Sequence, residues 1–140
     1  MAGFQAFADY IVRDKKIRSV TVNNEIMGYE FEIKYPSYRG TYLSCIEALD
    51  VWVDGKAVDK ADLRFRLNGK EFLFPELKEL FHEYWFVQDY AVIRVISDRL
   101  PDRAVRHSVK VYIKHRIPYT GYFGSYLSLE SANEKSLELE

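Results

Sequence analysis

The chain has 140 residues, with 20 Lys and Arg against 21 Asp and Glu for a formal net charge of −1, 48% hydrophobic and 16% aromatic residues. Such a composition supports one folded core and excludes a disordered chain, and the balanced charge excludes a global basic field for nucleic acid or a membrane surface. The single cysteine, Cys45, excludes an intrachain disulfide and a multi-thiolate zinc site.

No apolar run approaches the length that spans a bilayer, and the first nine residues lack the cationic start and apolar stretch of a signal peptide. A cytoplasmic protein is expected, in keeping with one unpaired thiol. The short basic run over 13–18 contains Asp14 and reads as a solvated turn.

Taken in chain order, the pattern is one of short strands and turns. The stretch 17–22 is rich in β-branched residues, and Asn23-Asn24 offers a turn into a strand over 26–35. There Met27, Tyr29, Phe31, Ile33 and Tyr35 fall on one face, with Glu30, Glu32 and Lys34 on the other. The stretch 49–53 alternates again and meets Asp54-Gly55; the stretch 63–67 meets Asn68-Gly69. Both pairs tolerate positive φ and predict type I′ hairpins. From Pro75, the spacing of Leu77, Leu80, Phe81 and Tyr84 predicts one short helix near 76–84. Strands follow over 91–96 and 105–117, and Pro118 stops the second.

These elements predict an all-β fold, an antiparallel β-sandwich with Ig/Fn3-like or Greek-key-like connections, with a small barrel as the alternative. One domain over 1–123 is expected, followed by a polar, mobile tail over 124–140.

Few side chains are spaced for chemistry. His107 and His115 share a strand face but stand eight residues apart, roughly 26 Å at strand rise, too far to share a metal ion. His82 with Glu79 and Glu83 reads as a solvated helix face, and Cys45 as a buried, inert thiol. No nucleophile elbow, Walker A loop or dinucleotide fingerprint occurs. Glu30 and Glu32 point to the wet side of their strand, where nothing separates their pKa values for acid–base work.

What stands out is aromatic and arginine density between strands, over 35–42, 84–90 and 116–123. Connections loaded with Tyr, Trp and Arg have the composition of interface cores. Tyr38, Arg39, Gly40, Tyr42, Trp85, Arg116, Tyr119 and Tyr122 are therefore the candidate partner-contact residues, with no catalytic or metal-ligating residue assigned.

Residues 28–47 contain an extended apolar strand, then Tyr38-Arg39-Gly40, then Leu43-Ser44-Cys45-Ile46-Glu47. Asp50-Val51-Trp52-Val53-Asp54-Gly55, Leu67-Asn68-Gly69-Lys70, Trp85 and His115-Arg116-Ile117-Pro118-Tyr119 follow in order. In that order these features resemble the β subunits of C-glycoside deglycosidases. The resemblance implies a non-catalytic subunit, with no cofactor of its own. Its partner would be a sugar isomerase-like TIM-barrel α subunit carrying a divalent metal, usually manganese. The assembly would cleave the C–C glycosidic bond of 3-oxo-C-glycosides by elimination. A homo-oligomer or hetero-oligomer is compatible with that role, whereas nucleic acid and membrane partners are not expected. The alternative is a standalone β-sandwich module that binds carbohydrate, aryl glycoside or protein.

Overall fold

The computed structural model describes residues 7–117 and 126–140. The strands are β1 (Arg18–Val22), β2 (Glu25–Lys34), β3 (Thr41–Tyr42), β4 (Ile46–Val53), β5 (Lys56–Ala57), β6 (Leu63–Leu67), β7 (Lys70–Leu73), β8 (Tyr84–Trp85), β9 (Tyr90–Ile96), β10 (His107–Ile117) and β11 (Leu127–Leu137). A five-stranded sheet runs in the order β1-β2-β9-β6-β7, and a four-stranded sheet in the order β11-β10-β4-β5. All strand pairs within them are antiparallel. No helix among the described residues is long and apolar enough to cross a membrane.

The predicted alternation builds the core. Tyr29, Phe31 and Ile33 of β2 are buried together with Ile93 and Val95 of β9 and Phe65 of β6. Leu49 and Val51 of β4 and Val109, Val111 and Ile113 of β10 belong to the same cluster, so the two sheets share one apolar layer and form the expected antiparallel sandwich. The three predicted turns sit at positive φ: 52° and 66° at Asn23-Asn24, 51° and 79° at Asp54-Gly55, 55° and 75° at Asn68-Gly69. Left-handed backbone at both central residues matches the twist of the strands they join.

The outer face of β2 is polar but not freely wet. Glu30 is buried beneath Arg18 at 3.0 Å and Arg94 at 3.1 Å, and Glu32 lies 2.8 Å from both Arg13 and Lys15. These carboxylates cross-link neighbouring strands of the five-stranded sheet and the segment that leads into it.

Two expectations change. The short helix comes as a 3-10 turn over Phe74–Glu79, held at its start by the Leu73 N–H donating to the Glu76 carboxylate at 2.7 Å. Leu77 is buried there, but Phe81 is exposed, because the chain leaves the helical path at Leu80 and extends to form β8.

The tail expected to be mobile over 124–140 instead contains β11, which pairs with β10 from His107↔Leu137 to Ile117↔Leu127. The ending of the chain is tied in further. The Glu140 N–H donates to the Ile17 carbonyl, the Ile17 N–H donates to the Glu138 carbonyl, and Leu137 and Leu139 are buried in the core. Lys135 Nζ donates to the Val12 carbonyl, and the Val12 N–H donates to Asn133 Oδ1 at 2.9 Å.

Candidate partner-docking site

A third, two-stranded sheet pairs β3 with β8, Thr41 opposite Trp85 and Tyr42 opposite Tyr84. It brings together two of the three aromatic segments. A strand sends neighbouring side chains to opposite sides, so Thr41 and Trp85 point inward while Tyr42 and Tyr84 point out. Tyr42 and Tyr84 meet edge to face with centroids 5.0 Å apart, and Tyr84 meets Phe86 likewise at 4.8 Å. Tyr42 is 45% exposed and Phe86 58% exposed, so two of the three rings offer much of their surface to solvent. Phe81, Tyr38 and Arg39 are exposed on the flanking connections.

Gly40 fixes how closely the two strands approach. A Cβ there would stand 2.3 Å from the Trp85 carbonyl oxygen and 2.8 Å from the Tyr84 ring. No side chain fits between, so glycine is the residue that lets this small sheet form.

Trp85, expected as a partner anchor, is fully buried. Its ring packs at 5.3 Å from Tyr35 and 5.4 Å from Phe65, and its indole N–H donates to the Asp89 carbonyl at 3.0 Å. Composition marked the segment as aromatic, but the strand period decides which ring faces in. The same period brings Tyr84 and Phe86 into the site, although neither was among the candidate residues.

Arg116 serves the fold beneath the site. Its guanidinium lies within 3.4 Å of the Ser44 carbonyl, 3.9 Å from the Glu47 carboxylate and 5.4 Å from the Tyr126 ring centre. It thereby braces the 3-10 turn Leu43–Cys45 that follows Tyr42. Cys45 in that turn is buried. Tyr119 and Tyr122 lie outside the described residues.

Directly below the small sheet, His115 and Tyr35 share a buried hydrogen bond of 2.6 Å between Nδ1 and the phenol oxygen. His115 Nε2 is buried with no hydrogen-bond partner among the described residues. Burial disfavours a charged ring there and pushes the pKa down to about 4, only partly opposed by Glu47. Unfolding frees the ring to take up a proton near its ordinary 6.5. The contribution of neutral His115 is therefore complete above that value and is lost as pH falls toward 4. His107 titrates on the other side: burial opposes its charge, but the Asp102 carbonyl and the Asp54 carboxylate hold its pKa above the ordinary value. Its contribution is complete below 6.5 and is lost as pH rises through the raised pKa. Between pH 7 and pH 4.5 the wild type should thus lose about 2–3 kcal/mol more stability to denaturant than His115→Phe does, a difference in which the opposite change at His107 cancels. An equal loss in that variant contradicts the assignment.

Among the described residues, no group of three or more His, Cys, Asp or Glu side chains could hold a metal ion.

Comparison with known proteins meets this geometry. The family described as C-glycoside deglycosidase beta subunit matches residues 7–119. The chain is 36% identical over 113 residues to the 3'-dehydrocarminate deglycosidase beta subunit of a Microbacterium species, covering 81% of this chain and 84% of that one. It is 33% identical over 109 residues to a C-glycoside deglycosidase beta subunit of Microbacterium trichothecenolyticum, covering 78% and 82%. One from Arthrobacter globiformis is 34% identical over 110 residues, covering 77% and 82%. With a family match across most of its length and relatives at this level of identity, the chain belongs to the C-glycoside deglycosidase beta subunit family.

Proposed function

We propose that this chain is a non-catalytic subunit that docks through the Tyr42–Tyr84–Phe86 edge onto a partner that carries the chemistry. The observation that carries the reading is the mutually braced set of rings on the outer side of the small β3–β8 sheet, whose inner side alone, through Trp85, belongs to the core. Rigid aromatic side chains lose little entropy on docking and are the usual anchors of protein interfaces. The relatives' names supply the context, since each is called the beta subunit of a deglycosidase.

In this reading the partner is a sugar isomerase-like TIM-barrel α subunit, and the reaction is cleavage of the C–C glycosidic bond of a 3-oxo-C-glycoside by elimination. A divalent metal, manganese by expectation, belongs to the partner and would polarise the sugar carbonyl there. This chain's own contribution is to exclude water and order the partner's loops. Tyr42, Tyr84 and Phe86 fill apolar recesses at the contact. Arg39, on the adjoining turn, supplies a planar donor for a carboxylate or for loop carbonyls.

The test is copurification of a tagged chain with its partner from a co-expression host. The Tyr42→Ala/Phe86→Ala pair should weaken association by at least about thirtyfold, which corresponds to about 2 kcal/mol of lost anchor energy. Association at wild-type strength would overturn the proposed edge.

A further inference from the structure

A separate recess of about 810 Å³ opens beside the connection over 35–38. Its walls combine the rings of Tyr10, Tyr38 and Tyr90 with the cations Arg13, Lys34 and Lys135. Among the described residues, the one acid in the wall is Asp14. The space suits a small organic molecule. Arg13 stacks 4.1 Å from the Tyr90 ring centre, and its charge is met by Glu32 at 2.8 Å. Lys34 lies 5.5 Å from the same ring centre, and among the described residues it has no carboxylate within ion-pair distance.

We propose that this recess binds a planar aromatic anion, an arene carboxylate or phenolate, with its ring among the tyrosines and its charge on Lys34. A neutral sugar would leave the excess positive charge uncompensated, whereas an aryl anion satisfies both features of the wall at once. A charged acceptor makes the stronger hydrogen bond to an ammonium, and the rings provide flat apolar contact. The proposal stands independently of the subunit reading, because Lys34 and Tyr90 lie outside the Tyr42–Tyr84–Phe86 edge.

The experiment is titration calorimetry of the full chain with naphthalene-2-carboxylate and with its neutral counterpart, naphthalene-2-carboxamide. The carboxylate should bind at least about tenfold more tightly than the carboxamide, the difference expected of one charge-assisted contact. Lys34→Met should bring the carboxylate down to the carboxamide's affinity, Lys34→Arg should restore it, and Tyr42→Ala should leave it unchanged. Equal binding of the two probes, or tight carboxylate binding by Lys34→Met, overturns the proposal. So does a chain that binds neither probe while Lys34→Met lowers partner copurification, which would make the recess a seat for protein.

Discussion

A chain ended after Tyr126 is expected to lose cooperative folding and to collect in the insoluble fraction. The cut removes β11, whose pairing covers every residue of β10 from His107 to Ile117. Without it, β10 becomes the edge of its sheet, a row of unpaired backbone groups flanked by Val109, Val111 and Ile113. Such an edge invites pairing between chains. The cut also removes Leu137 and Leu139 from the core and the backbone bonds that hold Ile17. A fully buried Leu is worth a few kcal/mol, and a typical domain is stable by only about 5–15 kcal/mol. Soluble expression and thermal melting of the truncated chain read this directly. A soluble protein with a sharp melt near that of the full chain would mean that β11 is dispensable.

Trp85→Ala should cost about 3–5 kcal/mol, the range for emptying a buried aromatic site, and should lower the melting temperature by about 10–20 °C. The ring fills the space between Tyr35 and Phe65 under the small β3–β8 sheet. Its loss leaves a cavity and strips the Asp89 carbonyl of the indole donor. Calorimetric melting of the isolated chain checks this without any partner. A near wild-type melt would show that Trp85 is not the internal support described above. The same variant is a poor probe of docking, since lost association would report damage to the sheet that presents Tyr42 and Tyr84.

The sandwich was legible because its central strands are written in two-residue alternation. Tyr29, Phe31 and Ile33 face in, and the Asn and Asp-Gly turns carry their own backbone requirement. β11 was not legible for a physical reason. Its inner-facing positions include Ser131, Asn133 and Lys135, which read as a polar tail. Asn133 and Lys135 are accommodated by the backbone of Val12, a contact between residues more than 120 positions apart that no local pattern announces.

The candidate site was legible in part. Aromatic density drew notice to the segments 35–42 and 84–90, and Tyr42 does stand on the exposed edge. Density carries no direction, however. Reading Tyr84-Trp85-Phe86 as strand rather than loop would have sent Trp85 inward and the other two out. The helical spacing of Leu77, Leu80, Phe81 and Tyr84 pointed the other way, and tertiary pairing with β3 overrode it.

The central claim is that the Tyr42–Tyr84–Phe86 edge, and not the sandwich faces, meets the partner subunit. Quantitative copurification of Tyr42→Ala/Phe86→Ala, run beside Lys34→Met and after confirming that each variant melts like wild type, tests it most directly. The account predicts that the ring pair alone loses the partner. Retention of the partner by that folded variant would contradict it.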